Sequence, residues 1–128
     1  MTQIIPALIT SDEDSTNDFE ELKLRFEKLW PFLAKFDHWV QIDITDGKFV
    51  PTKTNIGLED LRYFTERVNV EFHLMINRPE EVISEWARVG SKRIIVHIEA
   101  IENMDKLLDI CREKNIEGYP TWEFADGS

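Results

Sequence analysis

The chain has 128 residues, of which 42% are hydrophobic and 31% are charged, the composition of an ordinary globular domain with a substantial core. Its formal net charge of −10 argues against a nucleic-acid surface, because phosphate backbones are bound by clustered lysine and arginine. No apolar run reaches membrane-spanning length, no basic-then-apolar leader opens the chain, and a single cysteine predicts a reducing, cytoplasmic location.

The predicted elements alternate between strands and helices along a single domain, residues 1–128. Apolar, β-branched residues predict a first strand over 3–10, and an apolar stripe behind an acidic first turn predicts a helix over 18–30. Strict alternation predicts the second strand over 39–45. The remaining predicted helices lie over 58–67, from Pro79 to just before Gly90, and over 103–114. The remaining predicted strands lie over 69–75, over 93–98 and from Ile116. Strands joined by helices of this length predict parallel pairing through right-handed crossovers.

Polar side chains alternate with apolar ones in three successive strands, so they share one face of the predicted sheet. Helices cover the apolar face, and the polar face therefore looks into a barrel or crevice near the carboxyl ends of the strands. A single histidine there could be a satisfied core residue, but polar residues in phase on three strands favour a functional site. These residues are Gln41, Asp43 and Thr45 in the second strand, His73 and Met75 in the third, and His97 and Glu99 in the fourth.

Four segments of the sequence resemble the ribulose-phosphate 3-epimerase family. They are IPALI at 5–9, VQIDITDGKFVP at 40–51, FHLMI at 72–76 and VHIEA at 96–100. The resemblance covers about residues 4–117 and corresponds to the first half of the family's (β/α)8 barrel. The fold class that it implies is α/β, a half TIM barrel of parallel βα units, followed by a divergent C-terminal segment over 118–128.

The resemblance implies an isomerase that interconverts ribulose 5-phosphate and xylulose 5-phosphate by proton abstraction next to a ketone, assisted by a divalent metal. By motif position, Asp43 corresponds to the carboxylate that is both acid/base and metal ligand, and His73 to a second metal ligand. Met75 corresponds to a residue that lines the site, and His97 and Glu99 to a supporting pair. The implied partners are a sugar phosphate and a metal ion, which could be zinc, iron, manganese or cobalt.

The sequence departs from the family pattern at three site positions. Gln41 stands where the family has a histidine ligand, and an amide oxygen is a weak donor to zinc or iron. Ala7 replaces a serine that contacts substrate, and Thr45 replaces a methionine. The second catalytic aspartate, a further metal ligand and the phosphate loops belong to later strands of the family. We therefore expect weak or absent turnover by this chain alone.

The length of the chain does not determine how a barrel would be assembled, because a complete barrel needs about 200–250 residues. Four and a half βα units leave two open sheet edges, which invite pairing with another chain. The alternatives are a truncated product, two copies that complete a barrel-like homo-oligomer, and a flavodoxin-like layer. Two functions remain open, an epimerase-type isomerase and a non-catalytic half-barrel that acts as a structural or binding module.

Five further side chains have an expected environment. Trp30, Trp86 and Cys111 lie at helical spacing with apolar residues and are expected in the core. Lys48 and Lys53 flank the loop above Asp43 and could attract a sugar phosphate.

Overall fold

The computed structural model of the chain describes residues 3–10 and 18–114. Its four strands are β1 (Ala7–Leu8), β2 (Trp39–Thr45), β3 (Asn69–Met75) and β4 (Arg93–Val96), all parallel and in the order β1-β2-β3-β4. This sequential order is that of neighbouring strands in a (β/α)8 barrel and not that of a flavodoxin-like sheet. The predicted α/β class is confirmed. The fifth strand predicted from Ile116 and the divergent segment over 118–128 lie outside the described residues.

The described residues form four α-helices, and three of these adjoin 3₁₀ segments. The helix α1 (Phe19–Leu29) continues into a 3₁₀ segment (Trp30–Phe36), and a 3₁₀ turn (Leu58–Leu61) leads into α2 (Arg62–Thr65). A further 3₁₀ turn (Pro79–Glu81) precedes α3 (Ile83–Arg88). The last described helix is α4 (Met104–Lys114). Pro31 lies in the first turn of its 3₁₀ segment, where the missing N–H costs nothing. Across residues 3–10 and 18–114, no helix combines the length and apolarity that crossing a bilayer requires.

The two outer strands are shorter than the sequence predicts. β1 has two residues instead of eight, because it has only β2 as a neighbour among the described strands and Pro6 cannot donate to a ladder. The Pro6 carbonyl still accepts a hydrogen bond from the Gln41 N–H at 2.8 Å. β4 ends at Val96, and a 3₁₀ turn follows over Ile98–Ala100. The prediction that Glu99 belongs to the fourth strand is therefore wrong.

One face of the sheet forms the core with the helices. Ile42, Phe72 and Ile94 lie side by side in register across β2, β3 and β4, and each is at most 2% exposed. The Trp86 ring meets Phe72 edge-on, with 5.1 Å between ring centroids, so its predicted core position is confirmed. Burial of these large apolar side chains is the main contribution to the stability of the sheet.

Of the other two side chains predicted in the core, one is buried and one is exposed. Cys111 is buried, and its burial raises the pKa of the thiol, as expected for a packed and unreactive cysteine. Trp30 is 52% exposed, so the prediction of a core position is wrong. It follows the last residue of α1 and packs only one side against Phe26, with 5.5 Å between ring centroids.

A buried carboxylate joins the segment after β3 to the start of α4. Glu80 is 1% exposed, and its Oε2 accepts hydrogen bonds from the N–H groups of Glu102 at 2.9 Å and Asn103 at 2.8 Å. These N–H groups lie at the beginning of a helix, where intrahelical partners are lacking and negative charge is favoured. This role was not predicted from the sequence, where Glu80 stands next to another glutamate; the adjacent Glu81 is exposed and pairs with Lys106 at 3.0 Å.

Candidate active site

The face of the sheet opposite the core carries the polar residues of β2 and β3. Parallel register places Asp43 directly beside His73 and Gln41 beside Ala7. It also places Thr45 beside Met75, whose side chain is partly buried. The alternation in both strands is what turns these side chains away from the helices.

Four side chains form a continuous line of contacts, which we call the polar row: Asp43, His73, His97 and Glu99. His73 Nδ1 lies 3.2 Å from Asp43 Oδ1, and His73 Nε2 lies 2.9 Å from His97 Nε2. His97 Nδ1 in turn lies 3.3 Å from Glu99 Oε1. Although Glu99 has left the strand, its 3₁₀ turn returns the carboxylate to His97. The ends of β2, β3 and β4 and the 3₁₀ turn after β4 therefore bring these four side chains into one row.

The contacts of the polar row determine where its hydrogens lie. An ionised carboxylate only accepts hydrogen bonds, so the bond with Asp43 requires the His73 tautomer that carries its hydrogen on Nδ1. Only one hydrogen fits between the two Nε2 atoms.

The polar row is only partly covered. The side chains of Asp43, His73 and His97 are 24%, 22% and 28% exposed, so a ligand can reach them. The two imidazole rings stack with 5.0 Å between centroids, and the Phe49 ring lies 5.2 Å from that of His97. Phe49 comes from the loop after β2, and this loop therefore forms one side of the site.

Asp46 organises the loop after β2 and was not predicted to do so. Its Oδ1 accepts from the N–H groups of Lys48 and Phe49, both at 2.8 Å, and its Oδ2 accepts from that of Asn77 at 2.9 Å. Burial works to raise the pKa of this carboxyl, but the hydrogen bonds outweigh it and the pKa is lowered. The available sequence signal was the Asp-Gly pair, in which Gly47 adopts a φ of 75°.

Two side-chain ties fix the rest of this loop. Thr54 Oγ1 accepts from the Thr45 N–H at 3.0 Å and lies 3.1 Å from the Thr45 hydroxyl, so this predicted site residue is engaged by the loop. Further along, the Asp18 N–H donates to the Asn55 carbonyl at 2.8 Å, and the Asn55 N–H donates to Asp18 Oδ2 at 2.6 Å. The loop is therefore bonded both to β2 and to the start of α1.

The amino-terminal part of the polar face is filled by an ion pair and an aromatic ring. Arg93 lies 3.3 Å from Glu71 Oε2, and its guanidinium group lies 4.5 Å from the centre of the Trp39 ring. Glu71 is 7% exposed, and a charge so deeply buried needs such a partner. These side chains form the floor of the site beneath Asp43 and His73.

The donors present do not fit a complete metal site. Asp43 and His73 are adjacent, but both ring nitrogens of His73 are engaged by Asp43 and His97. Within residues 3–10 and 18–114, no group of three or more His, Cys, Asp or Glu side chains could hold a metal ion. Gln41 supplies only an amide on the same face, which is a weak donor for transition metals.

Comparison with known proteins gives one consistent result. A family model described as the ribulose-phosphate 3 epimerase family matches residues 16–119. A ribulose-phosphate 3-epimerase from Treponema pallidum (strain Nichols) is 32% identical over 81 residues, which are 62% of this chain and 37% of that protein. Ribulose-phosphate 3-epimerases from Chlamydia muridarum and Bacillus subtilis are 35% and 32% identical over 61% of this chain, covering 35% and 36% of their own lengths. The chain thus spans a little over a third of these relatives.

Proposed function

Because the chain belongs to the ribulose-phosphate 3-epimerase family, we propose that the polar row is a proton-transfer site for a sugar phosphate. The observation that carries this proposal is the hydrogen-bonded contact of Asp43 with His73, near the carboxyl ends of β2 and β3. Parallel α/β folds place their chemistry at this end of the sheet. The proposed substrate pair is ribulose 5-phosphate and xylulose 5-phosphate.

Asp43 is the proposed base. Its carboxylate removes the proton from the carbon next to the ketone of ribulose 5-phosphate, and the bonding electrons move onto the ketone oxygen to give an enediolate. His73 holds Oδ1 at 3.2 Å, while Oδ2 accepts no hydrogen bond from any described residue. His73 is thus a positioning residue, and the oxygen left over is the one that takes the proton. Return of a proton to the opposite face requires a second acid, which we place outside the described residues.

A divalent metal remains a prediction for this site. Asp43 and His73 are the candidate donors, and a metal would have to displace one of the two contacts that His73 makes with Asp43 and His97. The prediction can be tested with Gln41→His, since a histidine there would add an imidazole on the face that carries Asp43. Competition with a chromogenic chelator should then show zinc binding at least about tenfold tighter, or about 1.4 kcal/mol. An unchanged affinity would mean that these side chains do not converge on one ion.

Hydrogen exchange tests the catalytic proposal directly. Ribulose 5-phosphate incubated with the protein in heavy water should acquire deuterium at the carbon next to the ketone, followed by proton NMR. Asp43→Asn should slow this exchange about 10²–10⁴-fold, because an amide cannot take the proton. Asp109→Asn is the matched control, since Asp109 is 75% exposed on α4 and pairs with Arg112 on the same helix. Exchange by wild type no faster than in buffer would reject the proposal.

The second candidate is a non-catalytic binding module. Gln41 and Ala7 favour it, because they occupy positions where the resemblance implies a metal ligand and a substrate contact. In that case calorimetry should detect binding of ribulose 5-phosphate without any deuterium exchange. The same protein sample therefore distinguishes the two functions.

We also propose that the sheet edges pair with a second copy of the chain. β1 and β4 each have one strand neighbour among the described residues, and open edges favour pairing. Light scattering after size exclusion would contradict this proposal by showing a monodisperse monomer. The cytoplasmic location inferred from the single cysteine is likewise a proposal.

A further inference from the structure

A cleft of about 410 Å³ lies behind the carboxyl ends of β2 and β3. Ile44 and Ile76 contribute to it from the core side of the sheet, the side opposite to Asp43. No residue of the polar row lines the cleft, although the neighbouring predicted site residue Thr45 does. Most of its wall is apolar, formed by Ile44, Ile56, Leu58, Ile76, Val82 and Trp86.

Two lysines lie at the mouth of this cleft. The antiparallel bridge between Asp46 and Lys53 folds the loop back on itself, and Lys48 lines the same cleft as Lys53. Lys48 and Lys53 were expected to attract a sugar phosphate above Asp43, and both line this cleft. Along 3–10 and 18–114, neither lysine forms a salt bridge with a carboxylate.

The two acidic side chains in the lining, Asp46 and Glu85, form no ion pair with either lysine in the described part of the chain. Asp46 lines the cleft, but three backbone N–H groups already stabilise its charge. Glu85 is the other carboxylate in the lining, and it is exposed to solvent. The cleft therefore carries two exposed and unpaired ammonium groups beside two carboxylates, next to an apolar wall.

The walls of the cleft are braced before any ligand arrives. The Thr54 N–H donates to the Thr45 carbonyl at 2.9 Å, which ties the returning arm of the loop to β2. The Asn77 N–H donates to Asp46 Oδ2 at 2.9 Å, which ties the loop to the segment after β3. A preformed pocket binds with a smaller entropy loss than one that must order its walls.

We propose that this cleft binds a small amphipathic anion, with an apolar body against Trp86 and a carboxylate or phosphate head between Lys48 and Lys53. Its volume lies within the roughly 300–1,000 Å³ of small-molecule sites, which combine mostly apolar walls with a few placed polar groups.

Calorimetry with simple probes tests the proposal. Octanoate and octyl phosphate each combine an apolar body with an anionic head, and both should bind with one-to-one stoichiometry. Octanol lacks the charge and should bind at least about tenfold more weakly, the loss expected for one charge-assisted contact of about 1.5 kcal/mol. Acetate lacks the body and should show no binding. Equal affinity for octanol and octanoate would overturn the proposal, and the tighter of the two anions identifies the head group.

Charge reversal locates the site. Lys48→Glu combined with Lys53→Glu should weaken octanoate binding at least tenfold, whereas Lys28→Glu with Lys114→Glu makes the same change in net charge at exposed positions outside the cleft and should leave it unchanged. Equal weakening by both pairs would place octanoate elsewhere.

Two further variants keep the test independent of folding and of catalysis. Asp43→Asn should not alter octanoate affinity, because Asp43 lies on the opposite face of the sheet, and a loss of binding would contradict the separate cleft. Val82→Trp should fill the cleft and abolish binding, with near-ultraviolet circular dichroism reporting whether the core stays packed. Full affinity in a folded Val82→Trp protein would overturn the proposal.

Discussion

Phe72 and His73 are consecutive in β3, yet they belong to regions of opposite character. Phe72 is fully buried against Trp86 and lies on the face that packs on the helices. His73 is 22% exposed and makes hydrogen-bonded contacts with Asp43 and His97 on the other face. The comparison shows that the buried apolar side chains of one face provide most of the stability of the sheet. The other face is therefore free to hold the polar row.

Truncation of each neighbour should separate the two faces most clearly. Phe72→Ala should lower the free energy of unfolding by about 3–5 kcal/mol, because it removes apolar contacts and leaves a cavity. His73→Ala should cost less than about 1 kcal/mol, since water can reach the partners that it leaves behind. Urea denaturation of both variants measures the difference. Similar losses would show that the polar face contributes to the core, contrary to the comparison.

Truncation of Glu80 should have an intermediate effect on the free energy of unfolding, because Glu80 is a buried polar group. Glu80→Ala should cost about 1–3 kcal/mol, since the N–H groups of Glu102 and Asn103 lose their buried acceptor. Glu81→Ala is the matched control, because its ion pair with Lys106 is exposed and should be worth at most about 1 kcal/mol. Thermal unfolding of the two variants provides the measurement, and equal shifts would refute the buried role.

Asp46 should give the smallest effect, one that depends on pH. Its pKa is lowered from 3.8 in the folded chain, so its contribution to stability is present above that value and is lost as the pH falls through the lower folded pKa. Asp46→Asn should therefore cost about 1 kcal/mol at neutral pH and nothing at the acid end. Unfolding followed between pH 6 and pH 2.5 checks the sign. A loss that grows as the pH falls would contradict it.

The sequence predicted the central strands well because both have strict alternation with one buried face. β2 and β3 have the predicted bounds, and their register brings Asp43 beside His73. The outer strands were overestimated, since periodicity does not reveal where a neighbouring strand ends. The predicted helix over 58–67 divides into a 3₁₀ turn and α2, because tertiary contacts override helix propensity at short lengths.

The site was predicted in part for a related reason. A shared face follows from alternation, and the family motif adds proposed roles for Asp43 and His73 that await measurement. The stacking of His73 on His97 and the ties made by Asp46 depend on loop geometry, which sequence spacing does not contain. Glu80 was missed for the same reason, since its partners lie more than twenty residues away.

The reciprocal bonds between Asp18 and Asn55 have a consequence for protein engineering. They join the entrance of the first helix to the far end of the loop that follows the second strand, so the two segments behave as one transplantable unit. Grafting that loop from a homologue without a matching residue at position 18 would leave an amide without its acceptor. Recombination libraries should therefore exchange the two pieces together or retain both.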